Sequence, residues 1–365
     1  MRAAVCHEVN QPVRIEEVTL EPPRRGEVRV RMAAAGVCHS DLSATQGIIP
    51  MKMPLVLGHE GAGVVEEVGE GVTHVAPGDK VVLAWVTPCG TCFYCRIGRP
   101  NLCELGERIN NTNRMPDGSS RLRLGGEPLN VFSAVGTMAE QAVVPAQAAV
   151  KVDADAPLDR AALLGCAVMT GVGAVFNTAG VTPGSSVAVF GAGGVGLNAV
   201  QGAAIAGAER IVAVDTQPGK LELARTFGAT HVVDARREDA VKAVRELTDG
   251  RGVDYAFEAV GHRETIERAY AATRKAGTCV VIGVGSLKES VALKAFLIPL
   301  FEKRLVGCWY GSANVHLEIP RLLALYRGGK LKLDALVTRR YALEQVNQAF
   351  ADMVAGVNAR GVIVF

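Results

Sequence analysis

Neither sign of charge prevails in this chain of 365 residues, where 39 Lys and Arg stand against 37 Asp and Glu for a net charge of +2. Without a basic surplus there is no reason to expect nucleic acid or an anionic membrane as a partner. No run of 18 or more apolar residues occurs, which excludes a transmembrane helix. The first residues reach the charge pair Glu16-Glu17 without the apolar length of a signal peptide, so a cytoplasmic location is expected. Internal repeats and low-complexity tracts are also missing. A hydrophobic content of 49% with 21% charged residues reads as a soluble globular chain. Its length exceeds a comfortable single core, so two domains are expected.

Cysteine is not scarce. Nine cysteines in a reducing compartment argue for metal binding or catalysis over disulfides. Four are close together, in Cys89-Gly-Thr-Cys92-Phe-Tyr-Cys95 and, after seven more residues, Cys103. Two-residue gaps between thiolates let the chain wrap one ion tetrahedrally. A closed four-sulfur shell is a structural zinc site, with an iron–sulfur cluster as the competing reading. Three further donors are far apart in the chain: Cys38 in Gly36-Val-Cys-His-Ser-Asp41, His59 in Gly58-His-Glu-Gly-Ala-Gly63, and Cys166 in Leu163-Leu-Gly-Cys166. Two thiolates and a neutral imidazole around Zn²⁺ leave the fourth position open, which is the catalytic pattern. Asp41 could fix the tautomer of His59, and Glu60 adds a second charge beside the metal. The plainer alternative makes Cys38 and Cys166 small buried residues and His59 a core histidine. Cys6, Cys279 and Cys308 are read as core residues.

Residues 1 to about 85 alternate in short β-like runs such as Val28-Arg-Val-Arg-Met32, which predicts a β-rich, barrel-like domain. Residues 104 to 136 are polar and turn-rich and are read as a long loop, with Arg121 as its candidate functional residue. A second organised region opens with the apolar strand Ser186–Phe190, followed at once by Gly191-Ala-Gly193-Gly194-Val195-Gly196, a helix rich in Ala and Leu, and a strand Ile211–Val214 ending at Asp215. Strand, glycine turn, helix, strand and acid make up the dinucleotide-binding unit. The helix start would meet the phosphates with free N–H groups and the positive end of its dipole. Asp215, 19 residues after Gly196, would accept from the ribose hydroxyls and repel a 2′-phosphate, favouring NAD over NADP. Strands and helices keep alternating to about residue 310, which predicts a doubly wound parallel sheet in an α/β fold. The tail Gly361–Phe365 is expected to return to the first domain's sheet.

With these motifs in place, the chain resembles the zinc-dependent medium-chain alcohol dehydrogenases nearly end to end. The resemblance is carried by Gly58-His59-Glu60, the four-cysteine lobe, Leu163-Leu-Gly-Cys166 and the glycine turn, and is closest to the class containing thiol-dependent formaldehyde dehydrogenases. It implies a GroES-like catalytic domain over 1–167 and 310–365, with a zinc lobe at 86–104, and a Rossmann domain over 168–309. It implies two zinc ions, a catalytic one on Cys38, His59 and Cys166 and a structural one on Cys89, Cys92, Cys95 and Cys103. Ser40 would take the alcohol's proton, with Asp41 and Glu60 supporting the metal. His39, Lys220 and Arg360 would contact NAD, with Thr170, Val195, Ile282 and Val284 completing the cofactor set. Trp85 would line the substrate pocket, while the apolar stretch Ile48–Pro54, by its own composition, either lines a pocket near the metal or covers the barrel. The implied activity is reversible oxidation of primary, apolar or aromatic alcohols to aldehydes or ketones by a homodimer or tetramer. The alternative is oxidation of a formaldehyde–thiol adduct. Two departures bear on these roles: Ser43 stands where many members carry a relay histidine, and Gln46–Met51 is neutral where glutathione-dependent members are acidic.

Overall fold

The alternating run Val28–Met32 becomes the centre of a ten-residue strand, Glu27–Gly36, in the computed structural model, which describes residues 1–365. Val28, Val30 and Met32 are buried on its inner side, while Arg29 and Arg31 point outward and pair with Glu67 and Glu66 on the neighbouring strand. That division is what period-two alternation dictates. The chain separates into two compact units, one of 1–166, 314–329 and 333–365, the other of 167–313 with 330–332.

In the first unit, the strands Ala149–Val152, Lys80–Leu83, Gly61–Val68, Glu27–Gly36, Arg360–Val364 and Val337–Tyr341 lie side by side in that order, with Gln141–Pro145 also paired to Glu27–Gly36. The tail strand Arg360–Val364 thus joins this sheet one strand from its edge, antiparallel to Glu27–Gly36 with Val362 opposite Gly36. A four-stranded sheet holds Asn130–Val131, Leu55–Val56, Arg2–Cys6 and Arg14–Glu17. Among the unit's apolar clusters, one gathers around Leu55, Leu57, Phe350 and Ile363 and another around Val30, Val81, Leu83 and Val144.

The second unit is one parallel sheet in the order His231–Asp234, Arg210–Asp215, Ser186–Phe190, Val253–Glu258, Thr273–Val281 and Arg304–Gly307. Numbered along the chain this is 3-2-1-4-5-6, the doubly wound arrangement of dinucleotide-binding domains. Its inner strands Ser186–Phe190 and Arg210–Asp215 carry buried apolar runs, as expected where helices cover both faces of a parallel sheet. The helix Arg263–Ala272 runs directly into the strand Thr273–Val281. No single helix is long and apolar enough to cross a membrane.

The stretch 104–136 departs from its expectation as a long polar loop. It forms the helix Glu104–Thr112 and the strand pieces Leu122–Leu124, Glu127–Pro128 and Asn130–Val131. Its polar residues mislead because they are used internally. Arg121, only 2% exposed, donates from Nε to Glu27 Oε2 at 2.8 Å and from Nη2 to Glu27 Oε1 at 2.5 Å and Asp117 Oδ2 at 2.9 Å. Nη1 is taken by Ser119 Oγ. Glu27 lies at the start of the central strand, so this buried fork pins the stretch to the barrel. Removing one partner of a buried pair strands the other's charge. Arg121→Met is therefore expected to lower stability by about 3–5 kcal/mol, seen as an earlier midpoint in chemical denaturation. Arg123→Met, which breaks the more exposed pair with Glu21, should cost under about 1 kcal/mol.

Candidate active site

Cys38 closes the loop before the short helix His39–Thr45, whose first turn carries Asp41. His59 follows Gly58, which has φ of +95° and no room for a side chain: a Cβ there would stand 2.3 Å from the Met138 backbone nitrogen. Only glycine turns the chain so tightly. Cys166 follows the 3₁₀ turn Ala162–Gly165. Fold thus brings together three donors spread over 128 positions of chain (166 − 38): both Sγ atoms and a ring nitrogen of His59 lie within 4.8 Å of one another, all buried.

Asp41 Oδ1 accepts the Gly58 N–H at 2.9 Å and lies 3.2 Å from His59 Nδ1. The ring proton is thereby assigned to Nδ1. Nε2 is left as a buried acceptor with no hydrogen-bond partner. An orphaned buried imidazole nitrogen beside two cysteine sulfurs, with the other nitrogen tied to a carboxylate, is the environment a zinc ligand requires. The hydrogen bond from Cys166 holds Cys38 well below a thiol's usual range, against burial and with help from His59. Cys166 is correspondingly pushed well up. Burial opposes a charge on His59, but Asp41 and Cys38 outweigh it and raise its pKa. Two thiolates and a neutral imidazole would coexist here once a dication is present, because the ion's own charge inverts the local balance.

Glu60 and Arg360 form an ion pair in the same buried region. Burial works against the charge of Arg360, and Glu60, Cys38 and Cys166 outweigh it. Arg360, expected to contact NAD, thus has one end on Glu60, while its Nε has no hydrogen-bond partner. Ser40 Oγ is 3.8 Å from Cys38 Sγ, and His39 is exposed. The ring of Phe132 lies against His59 with centroids 4.8 Å apart, and Trp85 meets the same imidazole edge-on at 6.3 Å. Trp85 was legible in the sequence. Phe132, 73 residues beyond His59 (132 − 59), carries no local signal and was missed. Ile48 is 50% exposed, and Met51 packs against the core.

The sulfurs of Cys89, Cys92, Cys95 and Cys103 also lie within 4.8 Å of one another, and none is in a disulfide. Backbone N–H groups of Thr91 and Cys92 point at Cys89 Sγ, at 3.4 and 3.2 Å. Against its burial, those donors bring Cys89 down to about 6. Burial and the neighbouring sulfurs push Cys95 up to about 12. Four converging sulfurs with such a split need a cation to carry them all as thiolates.

In the second unit the glycine turn joins Ser186–Phe190 to the helix Gly194–Ile205. A Cβ on Gly196 would fall 1.7 Å from the Gly191 carbonyl oxygen, so helix and strand meet only because it is glycine. A Cβ on Gly193 would meet nothing within 4 Å, leaving its backbone open to a ligand. Asp215 Oδ2 accepts the Ala192 N–H at 2.7 Å, and Oδ1 accepts from Thr216 and Gln217 at 2.7 and 2.9 Å. These donors hold the acid beside the turn, and Oδ2 keeps a lone pair for a hydroxyl. Lys220 is half-buried in the helix that follows. Thr170 lies on a helix that touches Val195 across Gly171, where a Cβ would stand 2.4 Å from the Val195 carbonyl oxygen. Ile282 is buried and Val284 exposed. Sequence reasoning passed over Glu258, which ends the fourth strand beside Phe190 at the point where strand order reverses. Its Oε1 accepts from Val260, Gly261 and Thr265 at 2.9, 2.8 and 2.7 Å, fixing the turn that packs on Gly191.

A phosphate-cradling turn in one unit and a three-donor metal pocket in the other are the parts of a metal-dependent dehydrogenase. Comparison with known proteins bears this out at the level of family. The family model described as alcohol dehydrogenase GroES-like domain matches residues 24–154, and that described as zinc-binding dehydrogenase matches 194–327. The chain is 45% identical over 366 residues to the NDMA-dependent alcohol dehydrogenase of Amycolatopsis methanolica, covering 100% of this chain and 98% of the relative. Among solved structures, an alcohol dehydrogenase zinc-binding domain protein from Burkholderia ambifaria superposes with a TM-score of 0.96 at 40% identity, covering 100% and 98% of the two chains. The benzyl alcohol dehydrogenase of Acinetobacter calcoaceticus gives 0.95 at 35% identity, covering 100% and 99%. The chain belongs to the zinc-dependent medium-chain alcohol dehydrogenase family.

The thiol-adduct alternative is not favoured. Arg121, the candidate functional residue of the 104–136 stretch, is buried and turns its guanidinium inward onto Glu27, Asp117 and Ser119, away from any anionic substrate. Cys166→Ser is expected to abolish turnover while dinucleotide binding, followed by calorimetry, survives. Full activity in that variant would remove Cys166 from the site. Metal analysis should give two zinc per wild-type chain, falling to one in Cys166→Ser.

Proposed function

We propose that the chain oxidises primary apolar or aromatic alcohols to aldehydes, reversibly, with NAD as the hydride acceptor. A zinc ion on Cys38, His59 and Cys166 would activate the alcohol, and a second on the four-cysteine lobe would be structural. The observation that carries this reading is the buried trio with His59 Nε2 unpartnered and two aromatic rings against the same imidazole. Zinc with this ligand set supplies Lewis acidity that lowers the pKa of an alcohol's hydroxyl. The rest of the work falls to the protein. Asp41 keeps the His59 proton on Nδ1, and so Nε2 as a donor to metal. Ser40 would relay the alcohol's proton, accepting it on Oγ while passing its own hydroxyl proton on toward solvent. Glu60 and Arg360 balance charge beneath the ligands. Phe132 and Trp85 offer an apolar wall that suits a flat or hydrocarbon substituent and holds no partner for a charged one. Open space at Gly193, with the N-terminus of the helix Gly194–Ile205 behind it, supports a dinucleotide pyrophosphate, and Asp215 supports NAD over NADP. Hydride chemistry belongs to that cofactor, and the protein orients it.

Resemblance to a benzyl alcohol dehydrogenase supports the aromatic preference. The relative that is NDMA-dependent adds a second acceptor to be tested. We also propose a homodimer: the sheet ends in the strand Arg304–Gly307 with an unpaired edge, and Leu287, Phe296, Ile298 and Leu300 are exposed nearby in the chain.

A panel of alcohols assayed by NADH absorbance tests the reading. Benzyl alcohol should be turned over with NAD, faster than ethanol, and without any added thiol. Turnover of formaldehyde only in the presence of a thiol would overturn it, and turnover with NDMA but not with added NAD would overturn the acceptor. NADP should support less than about a hundredth of the NAD rate, since a 2′-phosphate against Asp215 meets like charge. Light scattering on the eluting protein should give twice the chain mass.

A further inference from the structure

Phe132 reaches His59 from a short stretch of unusual backbone, and one residue outside the site holds both sides of it. The helix Glu104–Thr112 ends on Asn113, which is 2% exposed and left-handed at φ 53°, ψ 39°. Asparagine is among the few residues that adopt this conformation readily. Turned this way, Asn113 accepts the Val131 N–H on its backbone carbonyl at 3.0 Å and the Ser133 N–H on its side-chain Oδ1 at 3.1 Å. Those are the residues immediately before and after Phe132. The next residue, Arg114, donates from Nε to Asn130 Oδ1 at 3.0 Å. Asn130 and Val131 in turn pair in parallel with Leu55 and Val56, the strand that runs on into Gly58 and His59. The stretches bearing the two stacked rings are therefore tied to each other and to Asn113.

Ser133 and Ala134 have φ of 49° and 54°, in a region most L-residues avoid. Such backbone persists only where its surroundings over-determine it. Ser133 is 1% exposed, and Asn113 Oδ1 is the acceptor for its N–H. Without that acceptor a buried donor is left unpaired, and relaxation of Ser133 would satisfy it elsewhere and swing Phe132 off His59. Packing of Ile109 and Met115 on Ala134 holds the helix and the turn together but does not specify the torsion of Ser133.

We propose that Asn113 is a positioning residue that sets the Phe132 ring against His59 and thereby fixes the width of the substrate pocket; this rests on the reading of Phe132 as a pocket wall. Because the helix begins directly after Cys103, the four-cysteine lobe and the specificity wall form one arm.

The test uses the full-length, zinc-loaded protein. Asn113→Gly keeps the left-handed turn and removes the acceptor; Asn113→Asp keeps both. Steady-state kcat and KM are measured for benzyl alcohol and for ethanol, with deuterium uptake of a peptide spanning 129–136. In Asn113→Gly the ratio of kcat/KM for benzyl alcohol to that for ethanol should fall roughly tenfold. Uptake across 129–136 should rise while zinc content and NADH affinity stay at wild-type values. Asn113→Asp should restore both ratio and protection. If the glycine variant does not accumulate, Asn113→Ser, whose hydroxyl falls short of Ser133, should behave as predicted for glycine. An unchanged ratio in the glycine or serine variant, or an equal loss with both alcohols, overturns the proposal. Phe132→Ala separates the two readings. If it leaves the ratio unchanged, the pocket reading fails and takes this proposal with it; if it changes the ratio while Asn113→Gly does not, only the role of Asn113 is lost.

Discussion

Burial of charge around three metal-ligand atoms is the constraint on which the first unit depends. Asp41 and Glu60 are fully buried, and Cys38, His59, Cys166 and Arg360 nearly so. None of these could remain ionised alone in such a place. They coexist because each answers another: Asp41 holds His59, Arg360 holds Glu60, and the two sulfurs share what charge is left. With both sulfurs as thiolates the group carries four negative charges against one guanidinium, and protons on Cys166 and His59 offset as much of that excess as one dication does. Metal binding and protonation are thus alternatives for the same charge, which is why such sites release protons when they fill.

That arrangement explains much of the surrounding backbone. A side chain at Gly36 would collide with the Glu60 carboxylate, and one at Gly58 with the Met138 backbone. Arg360 is carried on the strand Arg360–Val364, which enters the sheet between Glu27–Gly36 and Val337–Tyr341. The last residues of the chain therefore complete both the barrel and the charge balance beneath the ligands. The second unit solves a different problem. There the helix Gly194–Ile205 begins at an open glycine turn, an acid beside that turn is fixed by three backbone donors, and the buried Glu258 shapes the neighbouring turn.

Between the four cysteines and the barrel, the stretch 104–136 is a rigid arm. Its polar residues are spent inward: Arg121 on Glu27, Asn113 on Val131 and Ser133, Arg114 on Asn130. Composition alone cannot separate such a stretch from a solvated loop, because what distinguishes them is whether each donor finds a partner distant in the chain.

Where chemistry is written in local spacing, the sequence alone was enough. The two-residue gaps of Cys89, Cys92 and Cys95, the glycine turn Gly191–Gly196 with Asp215 following a second apolar strand, and the alternation at Val28–Met32 each encode a short-range geometry. Their readings as a sulfur cluster, a dinucleotide turn and a half-buried strand needed no tertiary information. Family membership followed from the same motifs. The tertiary structure decided what depends on residues far apart meeting: that Phe132 stacks on His59, that Arg121 is a buried brace with no reach to substrate, that Arg360 pairs with Glu60, and that Glu258 and Asn113 hold the turns beside the two sites. Turn and helix signals act over a few residues through torsion and local hydrogen bonds. The partners of a buried side chain are chosen by packing and charge balance, and those are settled only when the whole chain has closed on itself.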